Sequence, residues 1–491
     1  MSSNSSITIP SPEEIQSNLF SNPGKPPPLP EKWSATALLT PFGGLTAGAF
    51  VNPSDQLVVA RIYYDGSGES RYLRTRLYLL ESNLYYDFVF ETTGNETTWY
   101  WLISDPADQS PNAPAQEGIG PFPTSAQVPL PTFLANAGFS YVGTWNVVNQ
   151  PCDGFSASGN SVAGTWFSFF SGTNTLSRIM NVDDTNDFEI PVLGAYYLAN
   201  FPTFEPAASL DLAIVARTLK DGSSAGEASS QMLTLADIQT VMNNPPPGVS
   251  QVSCTPTEIA AIIPGISFPS TPPPPPAWTD QMQSFCYMMG QDAYPYYSQV
   301  YYDYTGNKDQ ISVFVTTDGT LGPTPYNSRQ DMVLPLGTVG PALNYIWNET
   351  NAQWQVGCYT PGGGYVPMSV PNFVQSAGGL CRAVVVDNPY FGEGAVTVWS
   401  VALGGQSGWS DFWYWFDAEQ RGVVFSLAPA ASLTMIDYQT FVQNASFPPG
   451  TFDEPTSGLP VCPPSVAEKR QKLMLIPKGG FGTNLTVAAD E

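Results

Sequence analysis

The sequence predicts a mainly β fold with a few short helices, arranged as two tandem homologous curved antiparallel sheets or open barrels. Three observations predict it. At 491 residues the chain is too long for one ordinary core. With 43 Gly and 48 Pro, few stretches keep a helical period, which indicates strands joined by turns. Finally, one set of motifs occurs twice, at a spacing of about 245 residues.

Each copy opens with the same unusual stretch. "SPEEI" at Ser11 and "TPTEI" at Thr255 each place a hydroxyl residue directly before Pro and a Glu three residues after the hydroxyl residue. This is the pattern of a capping box. We therefore expect a helix of about two turns in each copy. A proline tract follows and ends at Trp33 or Trp278, which predicts an extended strap pinned by the indole. Such tracts also bind SH3 or WW domains, but repetition favours the structural role.

Further motif pairs follow in the same order along the chain. They are "RIYYDGSGES" with "QVYYDYTGNK", "PTFLANAG" with "PNFVQSAG", "WFSFFSG" with "FWYWFDA", and "FPTFEP" with "FPPGTFDEP". Their spacing predicts a disordered N-terminus at 1–9, a first β-rich repeat at 10–210, a linker with a short helix at 211–253, a second β-rich repeat at 254–458, and a C-terminal tail at 459–491.

Strands are predicted from alternation and turn signals within each repeat. Each "YYD" motif runs into a glycine turn typical of a hairpin, where Asp65 and Asp303 are expected to cap backbone N–H groups. Further strands are predicted at "YYDFVFETT", "TWYWLIS", "FSYVGTWNVV" and "GTWFSFFSG" in the first copy, and at "ALNYIWN", "QWQVGCY", "CRAVVVD", "AVTVWSVAL" and "DFWYWFD" in the second.

Composition excludes several function classes. The net charge of −25 leaves no basic face for nucleic acid and disfavours an anionic membrane surface. The sequence has no histidine, which removes the commonest general base and zinc ligand. Because no dinucleotide, P-loop or GxSxG fingerprint occurs, we predict no cofactor, no metal and no assigned catalytic residue.

The termini and cysteines give weaker guidance. The N-terminus has no basic region or apolar core, and no run of 18 apolar residues occurs, so we expect no membrane insertion and a cytoplasmic or non-classically exported protein. Cys254 and Cys462 flank the second repeat, so a bridge between them is one interpretation, as is a Cys358–Cys381 pair. Free, mostly buried thiols are the other.

Aromatic density on the predicted strands is the feature that suggests a function. Strands such as "TWFSFF" and "DFWYWF" carry rings on both faces, so each sheet needs two apolar surroundings. One is the domain core, and the other is a ligand cavity or an interface between the copies, unless one large core absorbs both. The candidate ligand-binding residues are Tyr64, Tyr72, Arg74, Arg76, Tyr78, Trp99, Trp101, Trp166, Phe170, Tyr302, Trp413 and Trp415.

The segment "YYDGSGESRYLRTR" resembles the ependymin-related proteins, in which a Tyr-Asp turn precedes a strand with alternating arginines. The resemblance covers Arg61 to Phe90 and implies a lipocalin-like or ependymin-like curved sheet, shared with bacterial lipoprotein carriers, whose concave face binds hydrophobic molecules. In the second copy, Asp309, Ser312 and Phe314 are aligned with the arginines, so an anionic-headgroup role is not implied there.

Three functions remain open from the sequence. The first is non-catalytic binding or carriage of a hydrophobic or aromatic small molecule. The second is a histidine-free enzyme, such as an isomerase or cyclase, using Asp and Tyr in the same cavity. The third is a structural or carbohydrate-binding surface protein. The acidic run "NVDDTNDFE" is read as a solvated loop or a weak calcium site.

Overall fold

The structure is a computed structural model, and it describes the greater part of both predicted repeats. The described residues are 24–41, 57–79, 83–124, 127–148, 150–157, 165–181, 197–206, 209–213, 215, 252–289, 296–305, 308–314, 328–333, 339–340, 342–348, 353–359, 366–367, 371–376, 378–401, 409–417, 422–429 and 434–453.

The first half of the chain forms one antiparallel sheet, called sheet 1. Its strands are β1 (Lys32–Pro41), β2 (Val58–Asp65), β3 (Ser70–Leu79), β4 (Leu84–Thr93), β5 (Glu96–Ile103), β6 (Glu117–Thr124), β7 (Ser140–Val147), β8 (Gln150–Ser156), β9 (Thr165–Phe170), β10 (Leu176–Asn181), β11 (Tyr197–Pro206) and β12 (Val252–Ser253). The strand order is β6-β5-β4-β3-β2-β1-β11-β10-β9-β8-β7, with β12 added to β4.

The second half forms sheet 2, which is also antiparallel. Its strands are β13 (Ile266–Ser267), β14 (Gln281–Met289), β15 (Tyr296–Asp303), β16 (Lys308–Phe314), β17 (Ser328–Val333), β19 (Ala342–Asn348), β20 (Gln353–Tyr359), β22 (Leu380–Asn388), β23 (Gly392–Val401), β24 (Trp409–Phe416), β25 (Gly422–Pro429) and β26 (Thr434–Gln443). Two short strands, β18 (Val339–Gly340) and β21 (Val366–Pro367), pair with each other.

The two sheets share one strand order. Sheet 2 runs β13-β22-β23-β24-β25-β26-β14-β15-β16-β17-β19-β20, so in each sheet the first long strand lies beside the last. Both sheets are curved, and in the described strands neither order closes into a barrel. The predicted fold class is therefore confirmed, with all the strands named above. Descent of the two halves from one duplicated ancestor stays a prediction.

The strap contacts equivalent partners in both halves but in a different register from the sequence alignment. Its backbone bonds run from Leu29 N to Pro131 O and from Gly66 N to Glu31 O in the first half, and from Trp278 N to Pro371 O and from Tyr304 N to Asp280 O in the second. Trp278 therefore occupies the backbone position of Leu29, and the alignment of Trp278 with Trp33 is out of register.

Both tryptophans nevertheless reach equivalent rings. The centroid distances are 5.5 Å from Trp33 to Tyr64 and 5.0 Å from Trp33 to Phe204, and 5.7 Å from Trp278 to Tyr302 and 6.2 Å from Trp278 to Phe441. Trp33 and Trp278 therefore place an indole against equivalent rings in the two halves, although they occupy different backbone positions.

Three short helices lie wholly within the described chain: α1 (Phe133–Asn136), α2 (Pro256–Ala260) and α3 (Phe373–Ser376). The capping box of α2 is confirmed, because Thr255 Oγ1 accepts from Glu258 N and the Glu258 carboxylate accepts from Thr255 N. The helix predicted after Ser11, the linker helix at 233–244, the acidic run near Asp183, the N-terminus at 1–9 and the tail at 459–491 lie outside the described residues.

The two sheets pack back to back, and α2 lies between them. One continuous apolar cluster joins the outward-facing residues of sheet 1, the helix segment and the outward-facing residues of sheet 2. From sheet 1 it includes Leu38, Val59, Tyr78, Tyr85, Trp145 and Trp166; from the helix segment Ile259, Ile262, Ile263 and Ile266; and from sheet 2 Phe285, Tyr287, Val385, Tyr390, Val398 and Met435. The helix is therefore buried against both halves of the chain and not against its own repeat alone.

A buried ion pair lies at the centre of this interface. Arg178 Nη1 on β10 donates to both carboxylate oxygens of Asp437 on β26, at 2.5 and 2.7 Å, and both side chains are about 1 % exposed. Trp145 Nε1 donates to the same carboxylate at 3.2 Å. Gly154 leaves room for Trp145, since a Cβ there would fall inside the indole ring. The interface is therefore held by charge as well as by apolar contact.

The four cysteines whose side chains the structure describes, Cys152, Cys254, Cys286 and Cys381, form no disulfide. Cys254 and Cys381 form no disulfide, so both bridges considered from the sequence are wrong. Cys152, Cys254 and Cys286 are buried. Burial raises the pKa of Cys152, Cys254 and Cys381 to about 11, so these thiols are protonated at neutral pH and poorly reactive.

Replacing Arg178 with Met should destabilise the protein by about 3–5 kcal/mol, because the Asp437 carboxylate would remain buried without its cation. The double variant Arg178→Met/Asp437→Leu should recover part of that loss, since no charge is then buried. Urea unfolding monitored by tryptophan emission measures both. Lys32→Met is the matched control: its pair with Asp65 is partly exposed and should be worth about 0–1 kcal/mol. A double variant as unstable as the sum of its single changes would contradict this account.

Candidate functional site

The aromatic face of sheet 1 is the face turned away from sheet 2, and it carries an unusual number of rings. They come from strands at both ends of the strand order and are all at most 9 % exposed: Trp33, Tyr64, Tyr86, Phe88, Phe90, Trp99, Trp101, Phe155, Phe167, Phe169, Phe201 and Phe204. Because the sheet is curved and rings from distant strands share one cluster, we infer that this face is the concave one.

The rings contact each other in tilted and edge-on pairs. Phe88 lies 5.9 Å from Trp99 and 5.8 Å from Trp101, and Phe155 meets Phe169 edge-on at 5.9 Å. Such arrangements match the ring quadrupoles and are typical of packed aromatic clusters.

Small residues line the middle of the aromatic face. Ala37 on β1 pairs with Ala60 on β2, and Ala199 on β11 pairs with Leu39. All three alanines are fully buried on the same face as the rings. The central strands therefore project little into the space that the flanking strands fill with aromatic side chains.

A covering segment, residues 127–139, closes one end of the aromatic face. It places Val128, Phe133, Leu134 and Phe139 in the aromatic cluster, and Phe139 meets Phe167 edge-on at 5.3 Å. Side chains and backbone at strand ends hold it: Thr92 Oγ1 accepts from Val128 N at 2.9 Å, Tyr64 Oη donates to Pro129 O at 2.7 Å, Arg71 Nε donates to Val128 O at 2.8 Å, and Leu29 N donates to Pro131 O at 3.0 Å.

The opposite face of sheet 1 carries a buried polar cluster. Arg74 and Arg76 on β3 both donate to Asp87 on β4, with Arg74 bidentate at 3.0 and 2.7 Å and Arg76 Nε at 3.2 Å. All three side chains are fully buried. Tyr85 and Ser104 also donate to Asp87 Oδ2.

The loop after β5 covers this polar cluster. Arg74 Nη1 donates to the carbonyls of Pro111 and Ala113, and Arg76 Nη1 donates to that of Asp108. Burial alone would raise the pKa of Asp87, but the two guanidinium groups and the hydrogen bonds hold that pKa below its usual value. The cluster is therefore a charged structural support for the loop.

The twelve predicted ligand-binding residues do not come together in one place. Tyr64, Trp99 and Trp101 lie on the aromatic face. Tyr302 lies in a smaller cluster with Met282 and Phe441 on sheet 2. Trp413 and Trp415 belong to β24, and their side chains lie outside the described residues. Whether any of these residues contacts a ligand stays a prediction.

The other six lie away from the aromatic face, and a role for them in ligand binding stays a prediction. Tyr72, Arg74, Arg76 and Tyr78 share the opposite face of β3, as their alternation predicted, but that face carries the polar cluster rather than the rings. Trp166 and Phe170 belong to the interface between the sheets, where Phe170 meets Tyr390 at 6.2 Å. Of the two surroundings expected for the strand "TWFSFF", the second is this interface.

Sequence reasoning missed Asp87, although its signal was present. It lies in the predicted strand "YYDFVFETT", where a charged residue interrupts an apolar run and points to the same face as Tyr85 and Val89. A charged side chain on a buried strand needs a partner of opposite charge. The adjacent strand β3 offers Arg71, Arg74 and Arg76. In sheet 2, strand pairing puts Gln310 at the position of Arg74 and Ser312 at the position of Arg76. The sequence alignment had placed Ser312 and Phe314 there, so it was shifted by two residues.

Clusters of potential metal ligands and long apolar helices are both lacking in the described chain. No three His, Cys, Asp or Glu side chains there are grouped closely enough to hold a metal ion. Among the described helices, none has the length and apolar character needed to cross a bilayer.

Comparison with known proteins gives structural similarity only. No protein-family model matches the chain, and no curated protein matches it. Similar solved structures include the MucA/MucB complex of Pseudomonas aeruginosa, with 12 % identity, a TM-score of 0.20, and 70 % of this chain and 88 % of that chain covered. A putative outer membrane lipoprotein-sorting domain from Vibrio parahaemolyticus has 10 % identity and a TM-score of 0.21, covering 35 % and 89 %.

Kievitone hydratase from Nectria haematococca aligns over 89 % of this chain and 94 % of its own, with 9 % identity and a TM-score of 0.13. Similarity at these levels does not assign the chain to a family. A lipoprotein-sorting domain is thus among the similar structures, whereas the resemblance to ependymin-related proteins stays a prediction.

Asp87→Asn should destabilise sheet 1 by about 3–5 kcal/mol at neutral pH, because two buried guanidinium groups lose their counter-charge. The folded-state pKa of Asp87 is lowered, so its contribution is present above the unfolded value of about 4 and is lost as pH falls through the folded value. The stability gap between the two proteins should therefore narrow below about pH 4. Urea midpoints across this range measure it, and a constant gap would contradict the assignment.

Proposed function

We propose that the protein binds or carries a hydrophobic or aromatic small molecule, without catalysis, on the aromatic face of sheet 1. The observation that carries the proposal is the concentration of twelve buried rings on one curved face, around a middle lined by alanine. Apolar binding sites are typically concave, mostly apolar and largely preformed, and this face has that composition.

The covering segment supports the proposal because it closes the face with few bonds. In the described chain, five hydrogen bonds and four apolar side chains attach residues 127–139, whereas the opposite face of the sheet is fixed by an ion-pair cluster and by the whole of sheet 2. We propose that a ligand enters where this segment meets the strand ends, since local opening there would break the fewest contacts.

The two alternative functions gain less support from the described residues. An enzyme working in the same interior would need a carboxylate facing it. Asp87 and Asp437 face away and are engaged by arginine, Glu91 shares the face of Asp87, and Asp65 caps a turn at a strand end. A carbohydrate-binding surface would favour exposed aromatic rings. The large apolar residues that are exposed in the described chain are Leu130, Leu380 and Val386.

Native mass spectrometry of the purified protein tests the proposal directly, together with titration of an apolar dye whose emission rises in a dry environment. We expect either a co-purifying apolar molecule or saturable dye binding, with a change in tryptophan emission from the rings of the aromatic face. If the intact protein carries no ligand and takes up neither the dye nor any fatty alcohol, retinoid or fatty acid, the proposal is wrong.

Ala60→Phe locates the binding place. If the middle of the aromatic face is open, the added ring should abolish dye binding with less than about 1 kcal/mol loss of stability; if it is filled, overpacking should cost about 1–3 kcal/mol or more. Ala135→Phe is the matched control, because Ala135 is exposed on α1 and the same ring there would point into solvent. If the Ala60→Phe variant binds the dye normally, the binding site is not in the middle of the aromatic face.

A further inference from the structure

Two polar atoms stand among the rings of the aromatic face without a hydrogen-bond partner. They are the hydroxyl Oγ1 of Thr75 on β3 and the indole Nε1 of Trp33 on β1, and no donor or acceptor in the described part of the chain reaches either one. Thr75 is fully buried, and Trp33 is 6 % exposed. Both side chains share the face of the aromatic cluster, since Thr75 alternates with Leu73 and Leu77, and Trp33 alternates with Ala35.

Buried polar atoms are nearly always paired in native proteins, because an atom that has lost water and gained no partner costs free energy. The other hydroxyls on this face follow the rule. Thr92 and Thr97 bond to each other at 2.8 Å, and Thr92 also accepts from the covering segment. Thr75 and Trp33 are therefore exceptions to this rule on the central strands, and a guest with a matching polar atom would remove their cost.

Strand register places the two residues on the same surface, on strands β3 and β1, with β2 between them. Thr75 pairs with Ile62 on β2 and with Phe88 on β4. Trp33 pairs with Tyr64, which lies two residues beyond Ile62 on β2. Two strand spacings and two residues separate them, so their Cα atoms are about 12 Å apart on a flat sheet. An indole N–H only donates, whereas a hydroxyl donates or accepts, so the pair suits an oxygen acceptor on the guest.

The charges nearby decide what kind of oxygen group fits. Arg74 and Arg76 lie on the opposite face and are neutralised by Asp87. Arg71, at the strand end, donates to Val128 O in the covering segment. Arg71 lies on the same face of β3 but four residues from Thr75, at the strand end, so a carboxylate bound at Thr75 would lose its hydration without a described cation beside it. The net charge of −25 would also repel an anion on approach.

We propose, on the basis of the binding function above, that the ligand is an uncharged apolar molecule with an oxygen acceptor, such as an alcohol, ketone or ester. Its oxygen bonds to Thr75 Oγ1, and Trp33 Nε1 serves a second oxygen on a longer ligand. Ionised carboxylates are rejected. The site thus selects neutral oxygenated hydrocarbons over both plain hydrocarbons and fatty-acid anions.

Equilibrium dialysis of the full-length protein against matched probes tests this selectivity. Naphthalene, 2-naphthol and 2-naphthoate share one ring system, and at about pH 7.5 the carboxyl group is ionised while the phenol is not. Dodecane-length alcohol and carboxylate probes repeat the comparison with a flexible chain. We expect 2-naphthol to bind about tenfold more tightly than naphthalene, and 2-naphthoate at least about tenfold more weakly than 2-naphthol.

Variants at Thr75 assign the preference to one atom. Thr75→Val removes the hydroxyl at nearly constant volume, so the affinity ratio of 2-naphthol to naphthalene should fall from about ten to about one. Thr75→Ser keeps the hydroxyl and should preserve the ratio. Because the ratio is measured within each variant, a general change in folding or packing cancels from it. Trp33→Phe should affect only ligands that carry a second oxygen.

The outcomes separate this proposal from the one on which it rests. Binding of the probes without preference for 2-naphthol, tighter binding of either carboxylate, or an unchanged ratio in Thr75→Val would overturn the neutral-ligand proposal and leave hydrophobic binding intact. Failure of every probe, both naphthyl and dodecyl, to bind the wild-type protein would instead remove the binding function itself, and this proposal with it.

Discussion

Back-to-back packing of the two sheets is the constraint on which the remaining structure depends. A sheet with apolar residues on both faces must bury both. Here the outer face of sheet 1 is buried by sheet 2 and by α2, and the ion pair between Arg178 and Asp437 fixes how the two sheets meet. Because this contact satisfies one face, the aromatic face of sheet 1 is left to curve inward, and in the described chain the segment at 127–139 and Leu29 of the strap cover it.

Charge is distributed so that it stays away from the rings. The chain has only 17 basic residues, and three of them form buried ion pairs: Arg74 and Arg76 with Asp87, and Arg178 with Asp437. Both pairs lie on the outer side of sheet 1, one beneath the loop after β5 and one against sheet 2. Burying ions is costly unless they are well paired, so their role here is to fix geometry where a purely apolar surface would allow sliding. The aromatic face keeps only hydroxyl and indole groups as polar atoms, apart from residues at its rim.

Much of the fold could be predicted from the sequence, because local signals and repetition agreed. The capping box at Thr255, the Asp caps of the hairpin turns at Asp65 and Asp303, and the strands after them are all present. The site was predicted less well. Alternation showed that Arg74 and Arg76 share a face, but which face meets the partner sheet is a long-range property that no local pattern encodes. The same limit applies to Trp166, whose surroundings belong to the other half of the chain.

The placement of α2 links the two halves in a way that bears on how such a protein can change over generations. The chain leaves the first half, adds Val252 and Ser253 to β4 of sheet 1, and then enters the helix that both sheets bury. Each half thus completes its core with residues from the other, and neither could be exchanged for a related module by recombination without exposing isoleucines. The two halves must therefore adapt jointly, even though each keeps its own chain topology.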